Sequence, residues 1–285
     1  MTHSIAQRFD EGRWPGDGRA YLVTGARGIV GRAVIDQLLA AGKSVRAASS
    51  DPAKSTVPDG VDVVAYDQTD PKSVAAALDG IERVFLYAEP EGIENFISAA
   101  ASVGVEQVVL LSSIAAESGD NPIGAKHLAV ERPLQDSGLA LTILRPGAFA
   151  ANARGWISSI KSERVVRLPF PDLQLNPIHE ADMAAAAVTA LTEPGHAGKI
   201  YPLTGPESLS QRAMVDAIAA AIGAPIELVE LTYEQAAEFM FKPVLDMWAT
   251  LGTTPAHIGP TAESVTGRAP RTYTQWAADH ANDFR

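Results

Sequence analysis

Between residues 21 and 144 the chain repeats one pattern: a short, largely apolar run, a break, then a stretch with its apolar residues on a helical stripe. Strands are expected at Tyr21–Thr24, Lys43–Ala48, Val61–Ala65, Arg83–Tyr87, Gln107–Ser112 and Ala140–Leu144. Helices are expected at Val30–Ala41, Pro71–Leu78, Ile93–Val103 and Ala125–Ser137. In the first helix Val34, Ile35, Leu38 and Leu39 form the stripe and Gly42 the stop, while Asp70 and Pro71 open the second as N-cap and first residue. Strands without a polar face are buried on both sides, and helices between them make the sheet parallel. The expected fold is therefore α/β, a doubly wound parallel sheet.

Beyond Pro146 the rhythm changes. Short strands at Val165–Leu168, Lys199–Leu203 and Ile226–Glu230 mix with helices at Glu180–Leu191, Ser210–Ile222 and Tyr233–Leu251. This predicts a main domain over residues 19–150 and a smaller C-terminal substrate lobe over 151–285, partly interleaved with it. Residues 1–18, with Gly12, Pro15, Gly16 and Gly18 among charges, read as a flexible arm. The stretch Tyr233–Leu251 carries Phe239, Met240, Phe241, Leu245, Met247 and Trp248 but is interrupted by Pro243, so a kink or two helices is expected. Such a stretch is either core or a mobile lid over an apolar substrate.

Directly after the first strand stands Gly25-Ala26-Arg27-Gly28-Ile29-Val30-Gly31, leading into a helix. In this G-x-x-G-x-x-G spacing Gly25 allows the tight turn, Gly28 lets backbone approach a pyrophosphate, and Gly31 lets the helix pack closely on the strand. The helix N-terminus offers free N–H groups and the positive end of its dipole to phosphates. With a strand before it and βαβ units beyond, the loop reads as a dinucleotide site of Rossmann type.

The end of the second strand chooses between NAD and NADP. An acidic residue there would bind the ribose hydroxyls and repel a 2′-phosphate. This chain has Ser49 and Ser50 instead, with Arg27 within reach from the loop, so NADP(H) is expected over NAD(H). Asp51 stands against this if it lies near that phosphate. Asp67, after the third strand, either meets the adenine edge or is a turn residue, and Tyr87, ending the fourth strand, is a further cofactor contact.

The net charge of −11 argues against nucleic acid, because phosphate backbones are held by clustered Lys and Arg. The lack of cysteine excludes disulfides, thiolate metal sites and cysteine nucleophiles. Its six histidines show no H-E-x-x-H or other close ligand pair, so no metal is expected. No run approaches the roughly 20 apolar residues that span a bilayer, and Met1–Ala20 lacks a signal-peptide core. These features predict a cytoplasmic protein with no nucleic-acid or membrane partner; a small apolar or aromatic substrate and a monomer or homodimer are separate expectations that they do not supply.

The segment Thr24–Gly31 resembles the fingerprint of NmrA-like atypical short-chain dehydrogenases, a group with NAD(P)H:quinone oxidoreductases and isoflavone-reductase relatives. The likeness continues at Leu111-Ser112-Ser113, Leu144-Arg145-Pro146-Gly147-Ala148-Phe149-Ala150-Ala151-Asn152, Ile178–Ala184, Tyr201–Pro206 and Val265–Thr272. The resemblance implies a Rossmann domain with a small C-terminal lobe and a substrate cleft over the nicotinamide. Ordinary short-chain dehydrogenases use Tyr-x-x-x-Lys, but the corresponding stretch here is Ile123-Gly124-Ala125-Lys126-His127. Without that proton donor, two expectations compete. One is an NADPH-preferring reductase of a quinone, enone or carbonyl, with His127 and Ser113 as catalytic residues. The other is a non-catalytic, redox-sensing regulator. Ser112, Pro146 and Phe149, at the carboxyl edge of the sheet, are the remaining candidate cofactor contacts. His179 and Asp182 flank a helix start, where they cap, buttress or act chemically.

Overall fold

The computed structural model describes residues 20–119 and 121–285; the arm expected over residues 1–18 lies outside them. The first half alternates β1 (Ala20–Val23), α1 (Ile29–Ala40), β2 (Ser44–Ser49), β3 (Asp62–Ala65), α2 (Pro71–Leu78), β4 (Arg83–Tyr87), α3 (Ile93–Val103), β5 (Gln107–Leu111), α4 (Pro122–Asp136) and β6 (Leu141–Pro146). There follow α5 (Ile157–Glu163), β7 (Val165–Pro169), β8 (Gln174–Leu175), α6 (Glu180–Thr192), β9 (Ile200–Leu203), β10 (Leu209–Ser210), α7 (Gln211–Ile222) and β11 (Glu227–Leu231). The chain closes with α8 (Tyr233–Ala237), α9 (Lys242–Leu251), α10 (Glu263–Thr266), α11 (Tyr273–Asp279) and α12 (Ala281–Phe284).

Seven strands form one parallel sheet in the order β3-β2-β1-β4-β5-β6-β9. Both faces are covered. On one, Val34, Ile35 and Leu38 of α1 and Met183 and Ala187 of α6 pack on Tyr21, Val109 and Leu111. On the other, Val74 and Leu78 of α2, Phe96 of α3 and Val130 and Leu134 of α4 meet Leu22, Val84, Leu86 and Leu110. The strand order reverses between β1 and β4, and open α/β sheets bind ligands at the carboxyl ends of strands at such a point.

From beyond residue 150, β9 joins the main sheet and α6 covers its face, so the later chain contributes to both bodies. The remaining elements build a second core, in which Ile160, Val166, Leu168, Met214, Ile218, Trp276 and Phe284 are buried together. There β7 pairs with β11 and β8 with β10. The break expected at Pro243 within 233–251 divides the stretch into two helices, α8 and α9, with Pro243 in the first turn of α9 and the capping Phe241 extended. Of the two readings of this stretch, core does not hold for its phenylalanines: Phe239 and Phe241 are 66% and 64% exposed. Leu245 alone of α9 is buried.

The two bodies are clasped by a polar cluster. At the start of α6, Glu180 is buried and accepts from the Trp276 indole N–H at 2.9 Å and from His280 Nε2 at 2.6 Å. His280 also faces Asp283 at 3.2 Å, and Arg154 pairs with Asp283. His179 caps α6 by accepting the Ala181 N–H, and Asp182 holds Arg271, so both are engaged in structure. Hydrogen bonding to Glu180 raises the His280 pKa despite burial. Burial pushes Glu180 up, but its bonds to His280 and to backbone, with the charge of both histidines, bring it below its ordinary value. A raised histidine stabilises the fold fully below its ordinary 6.5 and loses that contribution as pH rises through the higher folded value. Glu180 contributes above 4.5 and loses it below. Melting curves from pH 6 to 9 are expected to fall more steeply for the wild type than for His280→Gln; equal slopes would refute the clasp.

Candidate functional site

A cleft of about 640 Å³ opens at the carboxyl ends of β1, β2, β3 and β4. Gly25, Ala26 and Arg27 of the glycine loop line it. Gly25 has φ +62°, and a Cβ there would lie 3.1 Å from Tyr87 Cβ. The Gly28 N–H donates to the Gly25 carbonyl at 2.8 Å, closing the turn. A Cβ on Gly31 would stand 2.3 Å from that same carbonyl oxygen, so α1 begins as close to the loop as backbone permits. Gly28 caps α1 without a side chain, and no acidic residue stands in the first turn through Ile29, Val30 and Gly31. Those N–H groups therefore present an uncompensated positive dipole end, a seat for an anion.

The fold brings Gly25, Ala26, Arg27, Ser49, Ser50, Asp67 and Tyr87 to this one cleft. Arg27 donates to Ser50 Oγ at 2.8 Å, both side chains exposed, while Ser49 is buried beneath them. Asp51 pairs with Lys54 at 2.9 Å and is not among the residues that line the cleft. Among the described residues lining the cleft Arg27 is the one cation, beside Asp67, Asp70, Glu89 and Glu91. Both expectations for Asp67 have a structural counterpart. It lines the cleft, and its carboxylate accepts the Thr69 hydroxyl at 2.7 Å and the Thr69 N–H at 2.9 Å, bonds that lower its pKa. Tyr87 is 54% exposed at the rim, its N–H held by Thr24 Oγ1 at 2.7 Å.

The sequence reading missed Tyr66 and Gln68. Gln68 is buried and donates to the carbonyls of Glu89 at 2.7 Å and Glu91 at 2.9 Å, tying the loop after β3 to the loop after β4. Tyr66 donates to Gln68 Oε1 at 3.1 Å, and its burial raises its pKa. Gly92, at φ +75°, admits this loop: a Cβ there would strike the Gln68 carbonyl at 2.1 Å. An isolated Glu91-Gly92 before an apolar helix was the one local signal for it.

Of the other candidates, Gly28, Ile29, Val30 and Gly31 carry the loop into α1 and do not line this cleft, while Ser112, Ser113, His127, Pro146 and Phe149 lie outside it, toward β5 and β6. Ser113 caps a short turn by accepting the Ala115 N–H at 3.3 Å, which leaves its hydroxyl hydrogen for donation. Ser112 is buried and its hydroxyl faces inward, donating to Glu131 at 2.5 Å. Pro146 ends β6, and Phe149 is half-buried against the core under α1 and α6. His127 sits near the start of α4, which begins three residues earlier than expected because Asn121 caps it, accepting the Gly124 N–H at 2.9 Å. Burial lowers the His127 pKa; Glu131 opposes this and Lys126 adds to it. Its Nδ1 is buried without a hydrogen-bond partner. Lys126 reaches across to Glu89 at 3.3 Å. Among the described residues no group of side chains could hold a metal ion, and no helix is long and apolar enough to cross a membrane.

Comparison with known proteins agrees with this architecture. A family model described as NAD(P)H-binding matches residues 25–194. The (4-alkanoyl-5-oxo-2,5-dihydrofuran-3-yl)methyl phosphate reductase of Streptomyces griseus is 34% identical, covering 92% of this chain and 98% of that protein. The NAD(P)H azoreductase of Xenophilus azovorans is 32% identical, again over 92% and 98%. The crystal structure of an NADPH-dependent quinone oxidoreductase from Escherichia coli superposes with a TM-score of 0.75 at 25% identity, over 91% of this chain and 98% of that one. The glycine cradle, the bare helix N-terminus and these relatives place the chain in the NAD(P)H-binding family, as an NAD(P)H-dependent reductase of the NmrA-like atypical short-chain dehydrogenase group.

Proposed function

We propose that the protein is an NADPH-preferring reductase of a quinone, enone or carbonyl group on an apolar small molecule. The observation that carries the cofactor preference is the Arg27–Ser50 contact over a strand end without a carboxylate, a donor pair suited to a ribose 2′-phosphate. Gly25 to Gly31 would hold the pyrophosphate, with Asp67 and Tyr87 beside the adenosine half. When bound, the reduced nicotinamide supplies the acceptor with two electrons and a hydrogen as hydride. The chain then has to supply a proton and an apolar surface.

Ser113 can donate to an acceptor oxygen at the β5 edge, and His127 can deliver the proton when it is charged. Quinones need little help from an acid, since their reduction gives a stabilised phenolate; this suits a site without the tyrosine–lysine pair. An apolar substrate is supported by the exposed Phe239 and Phe241. The segment after α9 returns along Asn176, Thr204 and Ser208 beside β6 and β9, bonded at His257, Pro260 and Ala256.

The test is NADPH oxidation against a panel of quinones, enones and carbonyl compounds, with NADH in parallel. Turnover with NADPH favoured supports the reading; tight cofactor binding with no turnover across the panel refutes it. Because burial holds the His127 pKa below 6.5, the imidazole is largely neutral at pH 7. For carbonyl acceptors, kcat is therefore expected to rise as pH falls through that lowered value, and His127→Gln to flatten the profile. An unchanged profile in His127→Gln would remove its role as acid.

A further inference from the structure

Glu131 is a buried carboxylate with 0% exposure, and nothing in the proposed chemistry yet uses it. It lies on α4 one turn after His127 and receives three donors. Ser112, next to the end of β5, gives its hydroxyl at 2.5 Å; Arg145 of β6 gives Nε at 2.9 Å and Nη2 at 2.5 Å. Ser112 and Arg145 are brought side by side by the strand register, which pairs Leu111 with Leu144, and by the bond from the Ser112 N–H to the Leu144 carbonyl at 2.8 Å. Both point to the face that α4 covers. Just beyond them the chain leaves the sheet at Ser113 and at Pro146-Gly147, the edge assigned above to the acceptor.

Stability alone accounts poorly for this arrangement. A buried ion pair loses the hydration of both charges, and replacing one with apolar residues of similar volume is often neutral or stabilising. Its geometry does something an apolar contact cannot: three directed bonds fix the helix against two strand ends at once. Contacts by Leu134 and Val130, which pack on the same face, allow sliding; a bidentate guanidinium does not.

We propose that Glu131 is a positioning residue, which by clamping Ser112 and Arg145 holds the ends of β5 and β6 and the first turns of α4 in the arrangement that aligns Ser113 and His127 on the acceptor. This inference rests on the reading of His127 and Ser113 as the reacting edge. It separates Glu131 from cofactor affinity, because the cleft that holds Arg27 and the glycine loop belongs to β1 to β4.

The decisive variant is the double substitution Glu131→Leu with Arg145→Met, which removes both charges together and leaves no unpaired buried charge, only the neutral Ser112 hydroxyl without its acceptor. Its NADPH affinity, measured by titration, is expected to stay within about threefold of wild type, while kcat for a quinone falls ~10–100-fold, the loss typical of misaligned reacting groups. A folded double variant with wild-type kcat overturns the proposal, as does a parallel loss of NADPH affinity. Glu131→Gln is the second variant, since it keeps an acceptor for Ser112 and the side-chain shape; a kcat unchanged with KM also unchanged there counts against the clamp. A readout independent of turnover is the His127 ring proton signal, assigned with His127→Gln, on saturation with NADP⁺. If the wild type reduces nothing in the panel, the functional reading fails. The clamp is then judged on this signal alone: a cofactor-induced shift lost in the double variant supports it, and a shift retained there, or absent already in the wild type, overturns it.

Discussion

Replacing Gly31 with alanine is expected to weaken NADPH binding about a hundredfold, roughly 2.7 kcal/mol, with the protein still folded. The added methyl would lie 2.3 Å from the Gly25 carbonyl oxygen and 2.9 Å from its carbon. Both are backbone atoms, so relief requires the loop to move away from the helix. Its closing bond, Gly28 N–H to Gly25 carbonyl at 2.8 Å, would go with it. Overpacking of this kind costs ~1–3 kcal/mol in stability, which a domain with two large cores can absorb. The cofactor cannot absorb it, because the N–H groups at the start of α1 would no longer converge with the loop on one anion. Gly155→Ala is the control, since nothing lies within 4 Å of a Cβ there. Titration calorimetry and circular dichroism on both variants decide the matter. An NADPH affinity for Gly31→Ala within about threefold of wild type would mean that the loop does not seat the pyrophosphate.

What could be read from the sequence is local in the chain. The glycine loop, its flanking strand and helix, and the six strands of the first half are each specified within ten or so residues, by periodicity and by turn chemistry. The Arg27–Ser50 meeting was also legible, although the partners are 23 residues apart, because the βαβ unit fixes where the second strand ends. The Ser112–Glu131–Arg145 clamp was not. Its three members come from separate elements, and each alone reads as a turn hydroxyl, a solvent-facing helix carboxylate or a strand-end cation. The same holds for Glu180, Trp276 and His280, joined across about a hundred residues. The strand at Lys199–Leu203 was visible but not its place as the seventh member of the sheet, since an apolar run carries no label for its neighbour. The apolar stretch around Phe239 misled for the opposite reason. Composition pointed to burial, but nothing in local pattern says whether other elements arrive to cover a helix, and for α9 the cover is limited to Leu245.

Arg27→Ala is expected to weaken NADPH binding about 10- to 100-fold, as the loss of charge-assisted hydrogen bonds of ~1.5–3 kcal/mol implies, while leaving NADH within about twofold. The asymmetry follows from position. Arg27 Nη2 already bonds Ser50 Oγ at 2.8 Å, so the guanidinium is held over the end of β2 and away from the seat of the pyrophosphate at the start of α1. The cofactors differ only in the 2′-phosphate, and among the described residues lining the cleft Arg27 is the only positive charge to meet it. The remaining acidic lining, Asp67, Asp70, Glu89 and Glu91, repels an extra dianion, so removing Arg27 leaves a field that disfavours NADPH specifically. Adding Ser50→Glu to Arg27→Ala should then reverse the preference, because a carboxylate at the strand end accepts from the ribose hydroxyls and rejects the phosphate. Salt provides an independent check, since screening between exposed charges should narrow the wild-type gap between NADPH and NADH as ionic strength rises. Equal losses for both cofactors in Arg27→Ala would make the residue a loop-shaping element, and an unchanged NADPH affinity would remove it from the site.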